Sequence, residues 1–350
     1  MSTPTVSLIV PSYNSARYLK PFCESILAQT FQDFEVLIGD DGSTDNSVEI
    51  LQPYLRDPRF KLIQWKPNRG LHFGVVVLLN AARGQYWCPP GTDDILEPEF
   101  LERRVPWLAS RPEAVLIHGP ARWIDEHDKP CVTDLTQRAL PEVNRRFSET
   151  LTGDRMLRVL LQHNILNWPS TLVRMDITRQ VMPWFSPYWA STMDWLLWLL
   201  LAATGGDFLW DEKPMISYRT HSESVSNSPQ KKAVRQIERK LTPFYALRAA
   251  SQFSPFAKAL WVEHRTALYR WWLVTAAALR WKGALQPREM LLAVEFYRGA
   301  LPRSVNLWCE LTTHGLPAWL QYRREKKANR HQLFEVSGLS LVDDPLFRSA

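Results

Sequence analysis

Cysteine is scarce and dispersed: Cys23, Cys88, Cys131 and Cys309 are four among 350 residues, with no C-x-x-C pair. That pattern argues against a zinc site and against a disulfide framework, and it fits a reducing compartment. No basic segment followed by an apolar core stands at the amino terminus, so no secretory signal is expected. Long hydrophobic runs are missing too. The longest, Trp195 to Thr204, is about half the length a bilayer requires and reads as a buried helix. No G-x-G-x-x-G follows the first apolar segment, which argues against a dinucleotide-dependent oxidoreductase. The chain shows no internal repeat.

What is present is an ordinary globular composition, 45% hydrophobic and 22% charged, enriched to 16 Trp and 25 Pro. The net charge of +6 is unevenly spread. Residues 1–120 hold 11 basic against 14 acidic side chains, whereas residues 228–330 hold 19 against 6. The second segment is also rich in Trp, with Trp261, Trp271, Trp272 and Trp281 among repeated Arg. It reads either as a helical bundle with a solvated basic face or as a surface that docks on anionic lipid with Trp at the headgroups. No nucleic-acid motif accompanies the charge.

The first part of the chain alternates strand and helix. The stretch Phe34–Ile38 is a branched, apolar run that reads as a buried strand, and it stops at Asp40-Asp41-Gly42-Ser43-Thr44-Asp45. A helix carrying Val48, Ile50 and Leu51 inward follows, expected to run through Leu55. Before it, Val6–Val10 is a strand ending at Pro11-Ser12-Tyr13-Asn14, then a helix over Ala16–Gln29. After it come a strand over Phe60–Trp65, a turn at Pro67-Asn68-Arg69-Gly70, a helix over Val75–Ala82 and a strand over Gln85–Cys88. That strand runs into Pro89-Pro90-Gly91-Thr92-Asp93-Asp94, and Pro98 is expected to open the next helix. This rhythm predicts an α/β fold with a parallel sheet wound by helices. Strands are also expected over 114–118, 170–174, 208–210 and 215–219, with helices near 155–162 and from Asp194. In a right-handed winding, the clusters Pro11–Asn14, Asp40–Asp45 and Asp93–Asp94 converge along the carboxyl edge, where open sheets bind ligands.

The segments VSLIVPSYNSARYL, FEVLIGDDGSTDNS, PNRG and GTDDILEPEFLE, in this order, resemble the nucleotide-sugar domain of family-two inverting glycosyltransferases with the GT-A fold. The resemblance covers roughly residues 5–225. It implies a mostly parallel sheet flanked by helices, followed by the basic helical region. Pro11, Tyr13, Asn14, Thr92 and Asp93 would line the nucleotide pocket, and Asp40 would read a uracil imide N–H. Asp41 either shares that task or orients the loop, and Asn68 is either a turn residue or a sugar contact. Asp93 would bind a divalent cation, Mn²⁺ or Mg²⁺, with His221 and, in support, Asp94. Gly91 stands where the family's D-x-D signature has its first acid. Asp194 corresponds to the general base, with Met193 replacing the Glu before it. Tyr218-Arg219-Thr220-His221 resembles the closing segment, and Arg219 or His221 would face the leaving diphosphate.

The organisation expected from this is a transferase domain over 1–227, a basic Trp-rich helical region over 228–330 and a tail over 331–350. The implied partners are a nucleotide-sugar donor and a saccharide or lipid-linked acceptor, on the cytoplasmic face of a membrane and without nucleic acid. Gly91 and Met193 motivate an alternative, a non-catalytic nucleotide-sugar binder at that surface.

Overall fold

The computed structural model describes residues 3–131, 149–185, 192–221 and 229–263, with side chains from Glu238 onward in the last segment except residues 240 and 241. The chain groups into one compact unit of residues 1–258 and a second of residues 259–350; the elements below belong to the first. In order they are β1 Val6–Ser12, α1 Ala16–Leu27, β2 Phe34–Asp40, α2 Ser47–Leu51, β3 Phe60–Gln64, α3 Leu71–Ala81, β4 Tyr86–Cys88, β5 Ile95–Leu96, α4 Phe100–Ala109, β6 Ala114–His118, β7 Arg122–Ile124, α5 Gly153–Leu160, β8 Leu172–Arg174, α6 Met175–Val181, α7 Met193–Ala202, β9 Asp207–Trp210, β10 Ile216–Arg219 and α8 Pro229–Ala250.

Seven strands form one sheet in the order β3-β2-β1-β4-β8-β6-β9. β1 pairs in parallel with β2 and β4, and β2 with β3. β8 is antiparallel to both its neighbours, β4 and β6, so β6 and its parallel partner β9 again run with β1. β2 is buried along its whole length because helices cover both faces of the sheet. On one face Val6, Leu8, Val10, Val36 and Ile38 pack with Leu19, Phe22 and Ile26 of α1. Burying each such side chain is worth about 1.5–3 kcal/mol. A second, three-stranded sheet of β5-β10-β7 lays β10 beside the segment that leaves β4.

Several boundaries differ from expectation. α3 begins at Leu71 rather than Val75, because His72 is buried, stacking on Phe185 at 4.6 Å, and Gly74 faces Pro11. α2 ends at Leu51, and a short 3-10 turn over Tyr54–Arg56 replaces its last expected turn. α4 begins at Phe100 and not at Pro98, whose carbonyl instead accepts from Thr30 N at 2.9 Å. Trp168–Ser170 form a 3-10 turn, so β8 is confined to Leu172–Arg174. α6 was not foreseen. The basic segment starts as the long helix α8, which packs on α7. Residues 264–330, most of that segment and including Cys309, and the tail over 331–350 lie outside the described residues.

Two buried charge clusters fasten the sheet. Glu35 in β2 accepts from Ser7 Oγ (2.8 Å), Lys61 Nζ (2.7 Å) and Arg83 N (2.9 Å). Burial pushes its carboxyl up, but these donors together hold it below the usual range. Asp211, after β9, takes Arg103 and the fully buried Arg104 at 2.9 and 3.2 Å. Arg104 is itself lowered to about 10, first by burial.

Candidate active site

Because β1, β2, β3 and β4 are parallel, the turns after them share one edge, and hydrogen bonds stitch those turns together. Asp41 N donates to Ser12 O (2.8 Å). Asn14, in a left-handed conformation at φ 49°, accepts at Oδ1 from Thr44 N (2.8 Å), and its own N–H donates to Ser43 Oγ (2.9 Å). Thr92 Oγ1 donates to Ser15 Oγ (2.9 Å), which ties the turn after β4 to the start of α1. The three polar clusters singled out in the sequence therefore meet.

The adjacent acids Asp40 and Asp41 have different occupations. Asp41 is buried and accepts from Trp65 Nε1 (2.6 Å), Arg69 N (2.6 Å) and Gly70 N (2.8 Å). It orients the Lys66–Gly70 loop, one of the two roles left open for it. Gly42 permits that approach, since its φ is 73° and a Cβ would lie 3.3 Å from Trp65 O. Among the described residues the Asp40 carboxylate receives only long contacts, from Ser43 N at 3.3–3.4 Å and Gln64 Nε2 at 3.5 Å. Its carboxylate keeps acceptor capacity for a stronger donor. Tyr13 is 48% exposed on the rim, Asn68 is exposed in the held loop, and Pro11 is half-buried beside Gly39 and Gly74.

Asp93 and Asp94 also divide. Asp94 is buried and accepts from Gly91 N (3.0 Å) and Arg219 N (3.2 Å). Burial, then the Asp93 charge, raises its carboxyl well above the usual range. It is a joint of the loop rather than an open ligand, contrary to the supporting cation role expected of it. Asp93 is half-buried, and its Oδ2 lies 3.1 Å from His221 Nε2. Arg219 is not an open cation for a diphosphate. Only 2% of its side chain is exposed; Nε donates to Asp93 O (2.8 Å), one terminal nitrogen to Asp125 O (2.9 Å), and the other pairs with Asp128 Oδ1 (2.6 Å). Its guanidinium also lies 4.9 Å from the Tyr18 ring centroid, and that ring lies 4.9 Å from the ring of His221. Sequence reasoning missed Tyr18, Asp125 and Asp128, which carry no local signal beyond their residue types.

The Asp93–His221 pair fits a hard divalent cation that takes one or two protein ligands and completes its shell with phosphate oxygens. Among the described residues no group of three or more His, Cys, Asp or Glu is arranged so that it could hold a metal ion. Gly91 explains why the first acid of the signature has no counterpart. A Cβ there would lie 2.6 Å from Asp93 Oδ1 and 2.7 Å from Asp94 Oδ2, so the two acids fill that space.

Asp194 occupies the first turn of α7, whose other nine residues are buried. α7 turns through Thr204–Gly206 into β9, which runs parallel to β6. Asp194 is half-buried and accepts from Asn164 Nδ2 at 2.7 Å. Burial raises its carboxyl from the ordinary value, opposed by backbone N–H groups, Asn164 and the charge of Arg239. Among the described residues Asp194 makes no hydrogen bond to Asp40 or Asp93.

Residues 7–154 match the family described as glycosyl transferase family 2. Over that stretch the chain is similar to that family. An uncharacterized glycosyltransferase of Haemophilus influenzae is 25% identical over 246 residues, 69% of this chain and 74% of the relative. The chondroitin synthase of Escherichia coli is 41% identical over 100 residues, which are 28% of this chain and 14% of that longer protein. Among solved structures, residues 1–349 of S. aureus TarS in complex with UDP-GlcNAc superpose with a TM-score of 0.57 at 16% identity, over 92% of this chain and 91% of that one. The mannosyltransferase PcManGT of Pyrobaculum calidifontis, in complex with GDP-Man and Mn²⁺, gives 0.51 at 17% identity over 93% and 88%. These likenesses show the fold, a mostly parallel α/β sheet of GT-A type. The family 2 match ends at residue 154, so Asp194, Arg219 and His221 lie beyond it and rest on the geometry given above.

Proposed function

We propose that this glycosyltransferase moves a sugar from a nucleoside diphosphate, UDP before others, to a hydroxyl of a saccharide or lipid-linked saccharide, with inversion at the anomeric carbon. Asp40 accepts the imide N–H of the base, and the loop held by Asp41 forms the wall beside it. Asp194 takes the proton of the acceptor hydroxyl as its oxygen bonds to the anomeric carbon. The bond from that carbon to the diphosphate breaks, and its electron pair leaves with the diphosphate. One base and one displacement give inversion. Asp93 and His221 would hold a divalent cation, which when bound supplies positive charge for the departing diphosphate.

The observation that carries this reading is the half-buried Asp194 in the first turn of an otherwise buried apolar helix. Desolvation moves its carboxyl toward a range useful for proton removal while Asn164 and Arg239 favour the ionised form. The solved relatives with UDP, UDP-GlcNAc, or GDP-Man and Mn²⁺ support the donor class.

A thermal-shift panel of UDP-, GDP-, dTDP- and CMP-sugars with and without Mn²⁺ identifies the donor. Transfer and hydrolysis of that donor are then compared in the wild type and in Asp194→Asn. Loss of turnover with nucleotide affinity kept is expected. Binding without turnover in the wild type would instead favour a non-catalytic binder. The basic segment over 228–330 supports a position at the anionic inner face of a membrane. Flotation with liposomes containing anionic lipid, at low and high salt, tests it; no flotation at low salt would remove the membrane role.

A further inference from the structure

The acid at the mouth of α7 is held by a side chain that no motif marks. α5 runs antiparallel to α7: Gly153 abuts Ala202 and Gly205 at one end, and at the other Trp195 Nε1 donates to Leu160 O (2.6 Å). This pairing delivers the segment leaving α5 to the amino end of α7. There Asn164 Nδ2 donates to Asp194 Oδ2 at 2.7 Å. Asn164 is exposed.

We propose that Asn164 is the positioning residue for the base of the transfer reaction, a role that rests on the reading of Asp194 as that base. A carboxylate at a helix mouth has free torsions about its side chain, and a bond to Oδ2 fixes the plane of the group. An amide is suited to this because it donates without itself titrating near neutral pH. It also favours the ionised carboxylate, so the base stays competent where burial opposes its charge.

The backbone N–H groups of Trp195 and Asp194 also bond the carboxylate, while most of the charged groups around it are otherwise engaged. From α8, Arg239 is the charge that bears on Asp194, while Glu238 is turned to Thr192, whose Oγ1 lies 3.4 Å from Glu238 Oε2. Thr192 Oγ1 also lies 2.7 Å from Thr242 Oγ1, which fastens α8 to the start of α7. On α5, Arg155 pairs with Glu149 at 3.1 Å and Arg158 lies over Phe256 at 5.2 Å. Asp154 lines a cavity with Thr204 and Gly205 at the far end of α7. On α6, Arg179 donates to Ala82 O at 3.0 Å, and Asp176 is exposed. His163, also exposed, precedes Asn164.

The test is the pH profile of kcat/KM for hydrolysis of the UDP-sugar selected above, in the full chain, for the wild type, Asn164→Ala, Asn164→Asp and Asp194→Asn. Asn164→Ala is expected to lower kcat about tenfold, the effect of losing a hydrogen bond to a charged group. Donor KM should stay within about twofold, since binding of the donor is not touched. The acidic limb should move to higher pH in Asn164→Ala and further in Asn164→Asp, where a second carboxyl faces the first. Thermal unfolding midpoints near that of the wild type are expected for both. A slower Asn164→Ala enzyme whose acidic limb does not move would overturn the proposal, as would an unchanged kcat. If Asp194→Asn keeps its turnover, the base itself is wrongly assigned, and that outcome is separate from any result at Asn164.

Discussion

His221 Nε2 and Asp93 Oδ2 stand 3.1 Å apart although 128 positions separate them in the chain. The contact exists because β10 lies antiparallel to β5, the strand that directly follows Asp93 and Asp94. Nothing near either residue in the chain specifies the other. If the pair holds a divalent cation, His221→Ala should weaken Mn²⁺ binding in the presence of UDP by at least the 10–100-fold that follows loss of a group behind a ligand. Calorimetric titration of Mn²⁺ into the UDP-loaded protein measures it. Equal affinities in variant and wild type would remove His221 from the site.

Restoring the acid that the family signature has at position 91 should not improve the enzyme. In Gly91→Asp a Cβ meets Asp93 Oδ1 and Asp94 Oδ2 below 3 Å, and a third carboxylate is added beside two others. A destabilisation of about 1–3 kcal/mol is expected from the overpacking, with no gain in Mn²⁺ affinity. Denaturant unfolding and metal titration of the variant check both parts. Tighter metal binding at unchanged stability would show that the loop adapts.

Asp40 and Asp41 should separate by experiment. Asp41→Ala leaves an indole N–H and two backbone N–H groups without their acceptor, each worth about 1–3 kcal/mol when buried unsatisfied. Stability and UDP affinity should therefore fall together, since the Lys66–Gly70 loop loses its anchor. Asp40→Asn should lower UDP affinity with a much smaller change in melting temperature, because its contacts within the protein are long. The same two variants, compared by thermal shift and UDP titration, would contradict this assignment if their effects were interchanged.

Acid should loosen the fold in two stages. His118 is buried, and desolvation, then Arg104, lowers its pKa to about 3 from an ordinary 6.5. The unfolded chain takes up that proton first. The contribution is thus fully present above pH 6.5 and is lost as pH falls from there toward 3, at about 1.4 kcal/mol per unit at most. Glu35 and Asp211, both held below the ordinary carboxyl range, add a second loss at lower pH, as the acid protonates them. Asp94, whose carboxyl is raised, contributes with the opposite sign and favours the fold at lower pH. The His118 share is accordingly read as the difference between wild type and His118→Gln in denaturant unfolding over pH 4–7. Parallel curves would show that His118 does not titrate differently in the two states.

Much of the sheet was legible because its signals are local. Branched apolar runs such as Val6–Val10 and Phe34–Ile38 pack on both faces, and the turns after them carry acids and glycines whatever the rest of the chain does. The same locality misled at α3. Its first turn looks like loop in the sequence, yet it is helical where His72 packs on Phe185, more than a hundred positions away. β8 entering antiparallel between β4 and β6 was equally invisible, since pairing partners are a property of sheet order.

The sequence by itself determined which residue types stand at the strand ends: an acid pair after β2, another after β4, and an acid opening the apolar helix α7. Only the tertiary structure decided what each of them does. Asp40 and Asp41 are adjacent and chemically identical, but one keeps open acceptor capacity while the other is spent on the loop that follows β3. Arg219 reads as a free cation and is instead enclosed by Tyr18, Asp93, Asp125 and Asp128. The physical reason is that a carboxylate or guanidinium gains its role from the donors, acceptors and burial around it, and those neighbours come from segments that only the closed sheet brings within hydrogen-bond distance.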